Sequence, residues 1–197
     1  AGSFGDIATT SFFPAKPLGC YGDGGAIFTN DDELAELIRS LRVHGKGADK
    51  YDNVRIGVNS RLDTIQAAIL IEKLDVFPQE LQNRQNVAKT YGDNLTGRFC
   101  IPKAPEGYLS SWAQYTIRAK DVGRDIYMAK LKDKNIPSVV YYGKNMHEQT
   151  ALLNFVSSED EFKVAEKVAR EVFSLPMHPY LEKDDQMKVI EILNRSE

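Results

Sequence analysis

Lys16 stands in the run Ser11-Phe12-Phe13-Pro14-Ala15-Lys16-Pro17-Leu18-Gly19, followed closely by Gly22-Asp23-Gly24-Gly25. The two prolines fix φ on either side and bias the run away from helix, so the lysine is predicted on a stiff, extended turn with its amine on display. An amine that is partly desolvated, or set beside a second cation, loses its proton and attacks carbonyls, and Schiff-base formation is the chemistry that suits it. The obvious carbonyl is the aldehyde of pyridoxal phosphate. Ser11 can hydrogen-bond the phosphate of that molecule, and Thr9 and Thr10 add hydroxyls beside it. By pattern alone, a lysine between two prolines also fits a solvated loop, and short motifs match often by chance.

The elements that must carry this lysine follow from periodicity. Asp6 to Phe13 alternates weakly and ends β-rich, and Gly25 to Thr29 reads as a short buried strand, with the lysine turn between them. Gly19, Gly22, Gly24 and Gly25 have neither Walker nor dinucleotide spacing, so they predict a tight turn. Asn30-Asp31-Asp32-Glu33 caps a helix with Leu34, Leu37, Ile38 and Leu41 on one face, ending near His44-Gly45. The loop from Lys46 to Arg55 mixes cations, acids and Tyr51. It reads as a solvated surface, or as a place where some of Lys46, Lys50 and Arg55 face a diphosphate, and both readings stay open.

Ser60-Arg61-Leu62-Asp63 has capping-box spacing. The helix after it carries Leu62, Ile65, Ala67, Ala68, Ile69, Leu70, Ile71 and Leu74, apolar on nearly all sides, and needs cover from its own domain and a second subunit. Phe77-Pro78 then interrupts the pattern and predicts a domain boundary, giving domains 1–76 and 77–197. A second helix is predicted from Gln79 to about Leu95 with Leu81, Ala88, Tyr91 and Leu95 buried. Beyond it come a strand at Ala113–Ala119, a helix at about Gly123–Lys134, a strand at Ser138–Tyr142 and helices at Glu161–Phe173 and Asp184–Leu193. This predicts helices packed on a small antiparallel sheet. On β-propensity, Tyr142 reads equally well as a strand aromatic facing the core.

Composition sets the outer bounds. The 197 residues are 42% hydrophobic and 27% charged, enough for a substantial core in one or two domains. The net charge of −3 gives no reason to expect nucleic acid, and no apolar run approaches a membrane span. Cys20 and Cys100 lie far apart without metal-ligand spacing, so no metal is expected, a reducing compartment is the natural reading, and the expected location is cytoplasmic.

The stretch from Gly5 through Lys16 to Asn30 resembles the cofactor-lysine segment of the DegT/DnrJ/EryC1/StrS family, fold-type I pyridoxal-phosphate-dependent sugar aminotransferases. The resemblance continues through Leu41-Arg42-Val43-His44-Gly45, Gly57-Val58-Asn59-Ser60-Arg61-Leu62-Asp63 and Gln66-Ala67-Ala68-Ile69-Leu70. Spaced motifs in the right order are more specific than one. Within the family the wording is closest to aminotransferases acting on UDP-linked 3-keto-2-acetamido-hexuronic acid in bacterial surface-polysaccharide pathways such as O-antigen synthesis.

The resemblance implies an α/β fold in which 1–76 is the end of the large cofactor domain and 77–197 a small α+β domain. It makes Lys16 the catalytic residue holding pyridoxal 5'-phosphate, Ser11 and Asn59 phosphate ligands, with Asn59 reaching across a homodimer into a shared site, and Arg61 a cation for substrate or cofactor. The partners implied are a nucleotide-sugar substrate and an amino-acid donor, glutamate. Val139-Val140-Tyr141-Tyr142 matches a segment that returns over the active site, and Tyr141 stands where a histidine is usual, so Tyr141 and Tyr142 are expected at the substrate. A phenol stays neutral near pH 7 where histidine can carry charge, so the difference bears on recognition of an acidic sugar. The related sugar dehydratases carry histidine in place of this lysine, and Lys16 separates the chain from them.

The chain opens on Ala1, already at the approach to Lys16, and is expected to be a C-terminal half. The group that pairs with the pyridine nitrogen and the side chain that stacks on the ring would then lie elsewhere, and this half alone is expected to be inactive. The competing readings are a non-catalytic or regulatory protein that keeps the fold, and a dimerisation fragment without a ligand.

Overall fold

The computed structural model describes residues 2–157 and 161–195. Ala1, Ser196 and Glu197, the outer limits of the two expected domains, lie outside them. The chain divides into two compact units, Ala1–Pro78 and Gln79–Glu197.

The first unit begins with strands β1 (Ala8–Ser11) and β2 (Gly25–Phe28), paired antiparallel with Ser11 opposite Gly25. The predicted strand is present but not buried: Ile27 and Phe28 are half exposed within this unit. Helix α1 (Asp32–Leu41) starts at Asp31, whose carboxylate accepts the Leu34 N–H at 3.0 Å, with Asp32 and Glu33 in the first turn favouring the helix dipole. It ends before His44-Gly45 because the next residues leave the helix to pair as extended chain, Val43 opposite Asn59.

Helix α2 (Thr64–Asn94) corrects two expectations. It begins at Thr64, beyond the predicted capping box, and the Ser60 N–H, which that box would give to the Asp63 carboxylate, goes to the Arg42 carbonyl at 2.9 Å. It also runs through Pro78, so the predicted stop and fresh start at Gln79 do not occur. One proline removes a single N–H donor, which a helix this long withstands. In the first unit only Leu70 of the apolar helix residues is buried, while Ile65 is 74% and Ile71 61% exposed.

The second unit has its own core. Strands β3 (Phe99–Cys100), β4 (Tyr115–Ala119) and β5 (Val172–Leu175) form an antiparallel sheet with β4 central and Ile117 opposite Phe173. Tyr115, Ile117 and Ala119 alternate into the core, and helices α3 (Arg124–Asp133), α4 (Lys163–Glu171) and α5 (Lys183–Asn194) add Tyr127, Leu131, Ala169, Val189, Ile190 and Leu193. Val87, Ala88 and Tyr91 of α2 belong to the same unit, and the Tyr91 and Tyr115 rings lie 5.0 Å apart. Burial, then the Asp93 charge, pushes the Tyr115 phenol up to about 12.

Two predicted elements differ. The helix expected through Phe173 stops at Glu171, because Val172 and Phe173 join β5 and the Phe173 ring is fully buried against Tyr127 and Phe99. The strand expected at Ser138–Tyr142 is reduced to one bridge, Val139 with Ser174, after which the chain turns.

A polar cluster sits beside this core. Arg84 is buried and donates to the carbonyls of Trp112 at 3.0 Å and Met177 at 3.4 Å, while the buried Glu80 accepts the Tyr180 hydroxyl at 2.5 Å. Partial burial, then the Arg84 guanidinium, lowers the His178 imidazole below its ordinary 6.5. Neutral imidazole is therefore the native form: its contribution is complete above 6.5, and it is lost as pH falls through the folded value, because the unfolded chain takes the proton first. Thermal melts followed at the buried tyrosines should shift down between about pH 7 and about pH 5, and His178→Gln should remove part of that shift. An unchanged pH dependence in His178→Gln would exclude the coupling.

Candidate active site

The segment between β1 and β2 is a closed loop. The Phe12 N–H meets the Gly24 carbonyl at 2.8 Å, and Cys20, fully buried, gives its N–H to the Phe12 carbonyl at 2.8 Å. The Cys20 thiol lies 3.1 Å from the carbonyl oxygens of both Phe12 and Gly22, so one S–H serves two acceptors at the centre of the loop. Within it, Phe13-Pro14-Ala15-Lys16 is a β-turn: the Lys16 N–H donates to the Phe13 carbonyl at 2.8 Å, and Pro14 takes the second position, where its fixed φ belongs. The Lys16 side chain is exposed and makes no hydrogen bond or ion pair among the described residues. Its amine is displayed as the spacing predicts, and the cover that would strip water from it is not supplied by this unit.

Ser11 ends β1, and its hydroxyl oxygen accepts the Phe13 N–H at 3.2 Å, which leaves the O–H free to donate elsewhere. The loop bears on α2 through a stripe of that helix's own unit. Leu62, just ahead of the helix, lies so close to Gly24 that a Cβ there would come within 2.9 Å of it. Gln66 accepts the Tyr21 N–H at 2.8 Å, Leu70 is buried, and Lys73 donates to the Gly19 carbonyl at 2.6 Å with its ammonium 5.3 Å from the Tyr21 ring. Lys73 was not named in the sequence and Gln66 stood there only as part of a motif, although positions 66, 70 and 73 share one helical face.

A second pairing positions Asn59. The Val58 N–H donates to Leu41 at 2.8 Å, His44 to Val58 at 3.0 Å and Ser60 to Arg42 at 2.9 Å, so two of the sequence motifs lie side by side. Gly57 fits there because it lacks a side chain: a Cβ would lie 2.2 Å from the Gly45 nitrogen. Asn59 and Arg61 line an open hollow of about 1040 Å3, with Thr9, Thr10 and Arg42. Arg42, which carried no role in the sequence reading, also donates to the Ser60 carbonyl at 3.3 Å. Lys16 and Ser11 do not line this hollow, and no hydrogen bond joins Lys16 to Asn59 among the described residues.

The loop of Lys46, Lys50 and Arg55 is a small hairpin. Lys46 bridges Asn53, Arg55 donates to the Ser40 hydroxyl at 3.2 Å, and Lys50 lies over the Tyr51 ring. In the second unit Tyr141 and Tyr142 follow the Val139 bridge in a turn, their rings edge-on at 5.8 Å. Tyr142 is 77% exposed, so the core-facing alternative does not hold. Cys20 and Cys100 are both free thiols.

The sequence profile of the DegT/DnrJ/EryC1/StrS aminotransferase family matches residues 1–194, and the chain belongs to that family. Among curated relatives, UDP-2-acetamido-2-deoxy-3-oxo-D-glucuronate aminotransferase of Pseudomonas aeruginosa is 47% identical over 177 residues, 89% of this chain and 48% of that protein. A protein of Geobacillus stearothermophilus named pleiotropic regulatory protein is 43% identical over 194 residues, 96% of this chain and 51% of its own. A DegT DnrJ EryC1 StrS aminotransferase from Brucella abortus superposes with a TM-score of 0.92 at 50% identity, over 98% of this chain and 51% of that one. NtdA from Bacillus subtilis, solved with bound cofactor PMP, gives 0.87 at 30% identity, over 98% and 46%. The chain spans about half the length of the curated relatives it matches. The α/β architecture read as fold-type I is the one it shares with these structures.

The Gly57 contact yields a test. Gly57→Ala should destabilise the first unit by about 1–3 kcal/mol, because the atoms it meets are backbone and cannot swing aside. Amide exchange at His44 and Ser60 should accelerate while the melt of the second unit stays in place; unchanged exchange at both amides would show that the pairing tolerates a side chain.

Proposed function

We propose that this chain carries the lysine of a pyridoxal-phosphate-dependent aminotransferase that moves an amino group from glutamate to a nucleotide-linked keto sugar. The sugar in this reading is UDP-2-acetamido-3-keto-hexuronic acid, for surface-polysaccharide synthesis in the cytoplasm. The observation that carries it is Lys16: an exposed amine without a partner, fixed on a tight turn, in a chain matched by the family profile from residue 1 to 194. The P. aeruginosa relative's name supports the choice of sugar. The first unit is assigned to the end of the large cofactor domain and the second to the small domain.

The residues present fit the cofactor by their chemistry. A primary amine, a serine hydroxyl with its proton free, and an amide and a guanidinium beside an open hollow suit an aldehyde and a phosphate. When bound, pyridoxal phosphate supplies the aldehyde for amine exchange and a conjugated ring that accepts an electron pair. Lys16 would hold it covalently and, as a free amine, would serve as the general base and then acid for the proton of the donor's α-carbon. Ser11 donates to the phosphate. In this reading Asn59, at the rim of the hollow, donates to the phosphate of a neighbouring subunit in a homodimer. Arg61, Tyr141 and Tyr142 bind substrate, and a neutral Tyr141 offers a hydrogen bond but no charge to an acidic sugar.

The regulatory relative keeps a second reading in view, that of a cofactor-binding regulator. Nitrogen transfer separates them. In a chain of the relatives' length carrying these residues, Lys16→Ala should abolish turnover and the cofactor absorption that borohydride removes. Turnover near the normal rate would show the site to be misassigned. Mixed dimers of Lys16→Ala and Asn59→Ala chains should recover one intact site per dimer; folded mixtures that never recover activity would exclude a shared site.

The 197-residue chain by itself should self-associate, since Ile65, Ile71, Leu74, Ile27 and Phe28 leave more apolar surface open than monomers usually tolerate. Sedimentation velocity reads this directly. A monodisperse monomer holding pyridoxal phosphate stoichiometrically through dialysis would instead mean that these residues form a complete site.

A further inference from the structure

The Lys16 side chain has no partner among the described residues, so what this unit holds is the turn that bears it. Its turn rests on Gly19: a Cβ at Gly19 would lie 2.5 Å from the Phe13 carbonyl oxygen and 2.8 Å from that of Pro14, so the Gly19 backbone presses directly on the residues that open the turn. The Phe13 oxygen is also the acceptor for the Lys16 N–H. Gly19 is in turn held by Lys73, whose ammonium reaches its carbonyl at 2.6 Å and lies 5.3 Å from the Tyr21 ring centroid, inside cation–π range. Gln66, two turns earlier on the same face, holds the Tyr21 N–H at 2.8 Å, with the buried Leu70 between the two grips.

We infer that Lys73 is a positioning residue for Lys16, acting through Gly19, with Gln66 fixing the far end of the same loop. The inference rests on the assignment of Lys16 as the cofactor lysine, and it names the part of the chain that holds the turn bearing that amine. Lys73 holds main chain and faces an aromatic ring, so the role inferred for it is one of position and not of chemistry. An ammonium suits the role because it has three donors and no acceptor: it can hold a carbonyl oxygen and face an aromatic ring at once, while Cys20 closes the loop from inside.

The test uses the 197-residue chain with Lys73→Gln, which keeps a donor without the charge, and Lys73→Arg, which keeps the charge. Amide exchange is read at Lys16 and Cys20, with Leu34 and Ile117 as internal controls. In Lys73→Gln, exchange at Lys16 and Cys20 should rise roughly tenfold, the scale of one lost charge-assisted hydrogen bond, with the controls unchanged and Lys73→Arg close to the parent. In parallel, pyridoxal phosphate is trapped with borohydride and the labelled lysines are mapped by mass spectrometry. The share of label at Lys16 should fall several-fold in Lys73→Gln and recover in Lys73→Arg.

Parent-like exchange at Lys16 and Cys20 in Lys73→Gln overturns the inference. If that variant loosens Leu34 as well, Gln66→Leu decides: faster exchange at Lys16 and Cys20 with Leu34 intact supports the two-ended grip, and unchanged exchange there overturns it. If the parent chain shows no preference for Lys16 in trapping, the assignment of the cofactor lysine fails, and the exchange data still decide whether Lys73 fixes the turn.

Discussion

Two backbone approaches that leave no room for a side chain hold the first unit together. At Gly19 the chain lies against the Phe13 and Pro14 carbonyls, and at Gly57 it lies against the Gly45 nitrogen and the Leu41 carbonyl. The first closes the loop that carries Lys16; the second brings the extended segment with Asn59 beside the end of α1. Each replaces side-chain packing with direct backbone contact, so polar groups that would otherwise face water are satisfied locally, by Cys20 and Lys73 in one case and by His44, Val58 and Ser60 in the other.

The two units keep their order by different means. The second has a continuous apolar core of Tyr91, Tyr115, Ile117, Tyr127, Leu131, Phe173 and Leu193 around a three-stranded sheet. In the first unit, Cys20 and Leu70 are the only buried hydrophobics among the described residues. Its local shape is set by hydrogen bonds and glycine contacts, while its apolar side chains on α2 and β2 face outward. A unit built this way has defined loops with little buried apolar surface, so burial within the unit contributes little to its stability.

Much of this was legible where the signal is local. Asp31 caps α1 as its type and place require, the lysine turn follows from Pro14 and Pro17, and the alternation of Tyr115, Ile117 and Ala119 names the central strand. The errors share a cause, which is that a distant partner overrode a local preference. Ser60 and Asp63 have the spacing of a capping box, but the Ser60 N–H that the box needs goes to the distant Arg42 carbonyl. Val172 and Phe173 extend a helical pattern, but the pairing with Arg118 and Ile117 draws them into the sheet. Pro78 reads as a break, and the helix carries it because only one donor is missing.

The candidate site divides along the same line. Lys16, Ser11, Asn59 and Arg61 could be named as candidates because their side chains carry chemistry and the motifs include them, whereas nothing pointed to Lys73, and Gln66 stood in a motif without a role, because what these two bind is main chain, 45 and 54 residues away. A carbonyl has no residue type, so its partner leaves no pattern in the sequence. The lysine is thus written in the motif, but the contacts that hold the loop around its turn, to Gly19 and Tyr21, are ones only the fold reveals. The same holds for Arg42, whose guanidinium bonds a backbone oxygen at the rim of the hollow and whose place in the Leu41–Gly45 motif gave no hint of that partner. Side chains that react can be recognised by type and spacing; those that hold the backbone in place become visible only once the chain has closed on itself.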